Sequence, residues 1–174
     1  MHKILILKND RVGDLFNSLG GINAIINDNP DAKIEIILSQ ISKNLSFLFN
    51  IKNVSVSYFP YRLTLNDKIK LFLKLINNSF YKIYILAPKN FYFYLPLFFS
   101  SKFYAITIKD LKKTRPLSFL LKKLFLYQVN DRENKKIYDN ISSLIFNLCS
   151  TKSISSYSNV LNNVPKSTTL FDDN

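Results

Sequence analysis

Short apolar runs recur along this chain at intervals of about twenty to thirty residues, with helix-like segments between them. The first run, Lys3–Lys8, holds an unbroken Ile-Leu-Ile-Leu, as expected of a strand buried on both faces. Further runs at Lys33–Ser39, Val54–Phe59, Lys82–Pro88 and Phe103–Lys109 read as four more strands. Between the first two, Leu15, Leu19, Ile22 and Ile26 step by 4, 3 and 4 and make one helical stripe over Asp14–Asn27. Ile41–Phe49 reads as a short helix. Asp67–Ile76 reads as another, its stripe formed by Ile69, Phe72, Leu73 and Ile76. Phe91–Phe99 is apolar on every side and reads as a buried or interfacial helix. Leu117–Tyr127 is apolar around an inserted Lys122-Lys123 pair. Glu133–Cys149 carries the clearest stripe, through Ile137, Tyr138, Ile141, Leu144, Ile145 and Leu148.

Strand-helix-strand repeats of this length predict an α/β fold, a Rossmann-like parallel sheet with helices on both faces. The 174 residues suffice for one domain with a substantial core. Residues 1–149 are expected to form it, and the Ser/Asn-rich residues 150–174 to be a polar tail or the start of an interdomain linker. Ligands of such sheets bind beyond the carboxyl ends of the strands. The loops after residues 8, 39, 59, 88 and 109 are therefore the ones to inspect.

Composition removes several chemistries. One cysteine excludes an internal disulfide framework and a Cys-based zinc site. One histidine, at position 2, leaves no internal His for a Ser-His-Asp triad or a His-rich metal site. The net charge of +12 favours anionic partners. Part of it reflects lysine standing in for arginine, which occurs only four times, in an A/T-rich codon background. The amino terminus has a four-residue apolar run, Ile4–Leu7, too short for a signal peptide. The longest apolar run has nine residues and contains Pro96, far below a membrane span. A cytoplasmic protein is expected.

The first loop, Asn9-Asp10-Arg11-Val12-Gly13-Asp14, leads straight into a helix. Gly13 permits a tight turn or close backbone approach to a ligand. Asp14 has two readings. One is a helix cap whose carboxylate accepts free backbone N–H groups. The other is a carboxylate facing the ligand crevice and ready to accept a proton, with Arg11 holding an anion or bracing the loop. No Gly-x-Gly-x-x-Gly fingerprint or phosphate loop is present. Gly20-Gly21 comes too late for pyrophosphate and reads as a close-packing position. Asn9-Asp10 suggests the acidic pocket of a phospho-acceptor receiver domain, but Tyr58-Phe59-Pro60 supplies no Asp ending the third strand.

The stretch Lys3–Leu15, with its Asp10-Arg-Val-Gly-Asp14 loop, resembles the amino terminus of glycosyltransferase family 9, the ADP-heptose:lipopolysaccharide heptosyltransferases. Asn29–Ile34 resembles that family's exit into the second strand. Glu133–Asn140 with Leu144 resembles the helix closing its N-terminal domain. The resemblance covers about residues 1–149. It implies the N-terminal, acceptor-binding half of a GT-B glycosyltransferase, with Asp14 as catalytic base and no metal or other cofactor. It also implies a nucleotide-sugar donor of ADP-heptose type, held by a second domain. No Gly-Gly-Pro-type donor loop is present, so the donor domain is expected to be missing or separately encoded. The alternative is a truncated or split module that binds acceptor without transferring sugar. Leu19-Gly20-Gly21 departs from the family, which usually has a Pro near the first helix turn.

Six basic residues, Lys109, Lys112, Lys113, Arg115, Lys122 and Lys123, fall in the segment after the fifth strand against one acid, Asp110. Interleaved Leu and Phe residues allow this segment to lie on a membrane interface or an anionic lipid head. It reads equally as a core-facing helix with solvated lysines. Lys112, Lys113 and Arg115 join Arg11 and Gly13 as expected substrate-binding residues. Lys68, Lys70 and Lys74 read as the wet face of their helix. The expected partner is an anionic saccharide or glycolipid acceptor, with peripheral contact at the inner face of the cytoplasmic membrane. Nucleic acid is not expected, because Phe91–Phe99 interleaves no basic residue among its aromatics.

Overall fold

The computed structural model describes residues 2–108 and 128–132, together with Ile145, Leu148 and Cys149. The five expected strands form, and all pair in parallel. They are β1 (Lys3–Lys8), β2 (Lys33–Ser39), β3 (Val54–Phe59), β4 (Lys82–Ile85) and β5 (Lys102–Ile108). A sixth, β6 (Gln128–Arg132), pairs in parallel with β5 through Tyr104↔Gln128 to Ile108↔Arg132. Its polar sequence, Gln-Val-Asn-Asp-Arg, offers no apolar run from which a strand could be read. The spatial order is β3-β2-β1-β4-β5-β6. The order therefore reverses between β1 and β4, which makes the carboxyl ends of those two strands the switch point of the sheet.

Strand alternation sends side chains to two cores. Ile4, Ile6, Ile34, Ile36, Leu38, Tyr84 and Tyr104 enter one, beneath α1 (Val12–Phe16), α2 (Leu19–Asn27) and a 3-10 helix at Gln40–Phe49. Leu5, Leu7, Ile37, Ile83, Ile85 and Phe103 enter the other, beneath α3 (Leu65–Asn77) and a 3-10 helix at Asn90–Leu97. Helices thus cover both faces, as the sequence predicts. Ile145 and Leu148, from the expected stripe of Glu133–Cys149, lie in the first core; the rest of that stripe and Leu117–Tyr127 fall outside the described residues.

The structure differs from the sequence reading in three respects. The single helix expected at Asp14–Asn27 starts earlier, at Val12, and breaks at Asn17-Ser18. Ser18 Oγ donates to the Asp14 carbonyl at 2.7 Å, an alternative to helical pairing that disrupts continuity. The segments at Gln40–Phe49 and Asn90–Leu97 are 3-10 rather than α-helical. Pro96, inside the second, cannot donate to a helical ladder. The third difference is the face of α3. Its core contacts are Leu71 and Leu75, while Ile69, Leu73 and Ile76 of the expected stripe are exposed. The helix begins at Leu65 because Thr64 and Asp67 close a reciprocal capping box: the Asp67 N–H donates to Thr64 Oγ1, and the Thr64 N–H donates to the Asp67 carboxylate at 2.9 Å.

The close-packing reading of the glycine pair is met at Gly21. A Cβ there would stand 2.5 Å from Ile145 Cβ, inside any tolerable contact. Gly13 contrasts with it: a Cβ would meet nothing within 4 Å, and no glycine has positive φ. Gly21→Ala should therefore destabilise the protein by about 1–3 kcal/mol through overpacking. Gly13→Ala should be neutral or stabilise by up to about 1 kcal/mol through helix propensity. Urea denaturation of the two variants distinguishes these opposite signs.

Candidate functional site

At the end of β1 the chain buries a lysine. Lys8 is 2% exposed, and its Nζ donates to Asp10 Oδ2 at 2.7 Å and to the Leu86 carbonyl at 3.4 Å. A buried ammonium requires such partners, since its desolvation is otherwise uncompensated. Asn9, fully buried beside it, fastens three neighbours. Its Nδ2 donates to the Pro60 carbonyl at 2.9 Å, its Oδ1 accepts the Tyr92 hydroxyl at 2.6 Å, and its backbone carbonyl accepts Lys89 Nζ at 2.8 Å. Lys89 also donates to the Tyr61 carbonyl. The loops after β1, β3 and β4 are thereby joined at the switch point.

Asp10 is mostly buried, and its Oδ1 has no hydrogen-bond partner among the described residues. Burial raises its carboxyl above the usual range against the pull of the Lys8 ammonium, and the nearby Asp14 charge adds to the rise. Burial pushes the Lys89 ammonium down to about 8, with the Asp10 charge acting in the opposite direction. Burial likewise holds the Tyr92 hydroxyl protonated well above its ordinary range. The Cys149 thiol is pushed up to about 12 by burial, which leaves it unreactive at neutral pH.

Asp14 lies in the first turn of α1 and is half-buried. It is not the helix cap: Arg11 holds that position, and its side chain makes no capping bond. Among the described residues the Asp14 carboxylate takes part in no hydrogen bond or ion pair, and its charge is felt at Asp10. Arg11 and Gly13 are exposed on the same loop, and the Arg11 guanidinium lies 5.9 Å from the centre of the Tyr61 ring. A cleft of about 340 Å³ opens alongside, lined by Tyr61, Arg62, Leu63, Lys68, Lys89, Asn90 and Phe91. Lys89 stands 4.9 Å from the Tyr61 ring centre and Lys68 5.9 Å from that of Phe91. A carboxylate loop and a cationic, aromatic cleft thus share the carboxyl edge of the sheet. A larger groove of about 620 Å³, lined by Pro30, Asp31, Lys33, Lys52 and Asn53 to Ser55, lies at the opposite, amino ends of β2 and β3.

Of the expected site residues, the structure brings together Arg11, Gly13 and Asp14. Lys112, Lys113 and Arg115 lie outside the described residues. Tyr61, Arg62 and Lys89 carry no signal of their own in the sequence, although they stand just beyond residues 59 and 88, in loops that the strand pattern marks. Lys68 was read as a wet-face lysine.

The fold is that of a doubly wound α/β domain whose solved counterparts are GT-B sugar transferases. Escherichia coli heptosyltransferase WaaC with ADP aligns at a TM-score of 0.58 and 12% identity, over 88% of this chain and 49% of that one. WaaC with ADP-2-deoxy-2-fluoro heptose aligns at 0.61 and 12%, over 94% and 55%. E. coli ADP-heptose lps heptosyltransferase II aligns at 0.57 and 16%, over 88% and 44%. The chain thus spans about half the length of each structure, and at these identities the likeness is one of fold. The sequence matches no family model, and no curated protein matches it significantly.

The lowered Lys89 ammonium makes the cleft pH-sensitive. Lys89 is cationic below about pH 8 and loses its charge above it. A sugar phosphate keeps its full charge over this range, because its second pKa is near 6. Any affinity of the cleft for such an anion should fall as pH rises from 7 to 9, and Lys89→Met should show a lower affinity at pH 7 with no such step. Calorimetric titration at both pH values checks this; an equal pH dependence in the two proteins contradicts it.

Proposed function

We propose that this chain is the acceptor-binding, base-carrying half of a heptosyltransferase-type glycosyltransferase. The observation that carries the proposal is the Asp14 carboxylate, held without a structural partner among the described residues in the first turn of α1, whose N-cap Arg11 stands 5.9 Å from the ring centre of Tyr61 in the cationic cleft. The carboxylate accepts the proton of an acceptor hydroxyl as its oxygen attacks the donor's anomeric carbon. The bond from that carbon to the nucleoside diphosphate breaks, and the diphosphate leaves with the electron pair. Arg62, Lys68 and Lys89 hold the negative charges of a phosphorylated or carboxylated saccharide, and Tyr61 and Phe91 offer ring faces to its sugar plane. Asp10 and Lys8 fix the loop from beneath. The acceptor is an anionic, lipid-linked saccharide of the lipopolysaccharide type, met at the cytoplasmic side of a membrane.

The donor is a nucleotide-sugar of ADP-heptose type, held by a second domain. The alignments support this division, since they account for about half of each solved transferase. The same observation favours a second reading, in which this chain binds acceptor but transfers sugar only with a separately encoded donor domain. An assay of heptose transfer from ADP-heptose to a deacylated lipopolysaccharide core, with the chain alone and with the polypeptide encoded downstream, separates the two readings. In the active preparation, Asp14→Asn should lower the rate by about 10²–10⁴-fold with the fold intact. Arg62→Ala should raise the acceptor KM and leave kcat nearly unchanged. Full activity of Asp14→Asn would remove the base from this site.

A further inference from the structure

Helix α3 has two apolar faces, and only one is used by the core. At 100° per residue, Leu65, Ile76, Ile69 and Leu73 fall within an arc of about 80°. The core-facing Leu71 and Leu75 lie on the far side of the helix. The four arc residues are 72%, 55%, 50% and 51% exposed in that order. Phe72 extends the patch sideways: its ring meets Phe98 edge-on at 5.4 Å, and Phe98 and Leu97 are 64% and 47% exposed. Six large apolar side chains on one surface exceed the scattering of single residues found on ordinary soluble proteins.

The flanking charge selects the partner. Lys68 and Lys70 border the stripe; Lys74, also on α3, is paired with Glu35 at 2.6 Å. The helix has one acid, Asp67, and its carboxylate is engaged in the cap with Thr64. A second copy docking face to face would set Lys68 and Lys70 against their own counterparts with no acid between them. An anionic bilayer offers apolar depth to the stripe and negative charge to the lysines. We infer that the exposed face of α3, with Leu97 and Phe98, is the surface by which this protein lies on an anionic lipid membrane. Among the described residues no helix is long and apolar enough to cross a membrane, and the contact inferred is that of a helix face on a surface. The stripe begins at Leu65, two residues beyond Leu63 of the cleft, and Lys68 belongs to both. A lipid-linked saccharide could therefore enter the cleft while its anchor stays in the bilayer; this consequence rests on the proposed acceptor, whereas the lipid contact does not.

Vesicle co-sedimentation with the full chain tests the inference without donor or acceptor. The wild type should pellet with vesicles of phosphatidylglycerol and phosphatidylcholine and remain in solution with phosphatidylcholine alone. Ile69→Asn/Leu73→Asn/Phe98→Asn should lower the partition coefficient at least about tenfold while keeping the native circular dichroism, because all three side chains are exposed. Lys70→Glu should also weaken it and reduce its salt dependence. Ile41→Asn, 62% exposed on the opposite side of the sheet, should bind as the wild type does. Unchanged binding by the triple variant, or no wild-type binding to anionic vesicles, overturns the inference. So does a concentration-dependent dimer that the triple variant abolishes, which would assign the face to a second copy.

Discussion

A lysine shut away from water at the end of β1 sets the terms for this site. Asp10 lies 2.7 Å from the Lys8 Nζ, and removing one partner of such a buried pair typically costs about 3–5 kcal/mol. The pairing fixes the backbone immediately before the turn into α1. Asn9, between the two residues, spends its amide and carbonyl groups on Pro60, Tyr92 and Lys89. The loops after three strands are held as one unit, so Asp14 and the cleft keep a constant relation.

The division of labour among the carboxylates follows from burial. Asp10 is enclosed and paired, with a carboxyl raised by desolvation, and suits support. Asp14, in the first turn of α1, is half-exposed and is the carboxylate to which the proposed function gives the base's role. Its charge also raises the Asp10 carboxyl, so the two are electrostatically linked. Lys89 connects loop and cleft, since it donates to the Asn9 carbonyl and lines the cationic wall.

The sheet was legible because strands buried on both faces leave unbroken apolar runs, and each of the five runs became a strand. The close packing at Gly21 was legible for a similar local reason. β6 was not, since a polar strand is held by its backbone ladder to β5 and leaves no mark in side-chain chemistry. Helix α3 was assigned the wrong face because it carries two apolar stripes, and periodicity cannot say which one a sheet will cover. The supporting cluster was hidden for a different reason. Lys89 and Tyr92 stand 80 and 83 residues beyond Asn9 and meet it only through the parallel pairing of β1 and β4. In a lysine-rich chain, nothing local sets Lys8 or Lys89 apart from solvated lysines.

The central claim is that ligand binds at the β1/β4 carboxyl edge rather than elsewhere on the domain. Backbone amide NMR shifts of the full chain, titrated with a phosphorylated saccharide, test it most directly. The account predicts shifts concentrated at residues 10–14, 61–63 and 89–91. Shifts confined to residues 30–33 and 52–55, around the groove at the opposite end of the sheet, would contradict it.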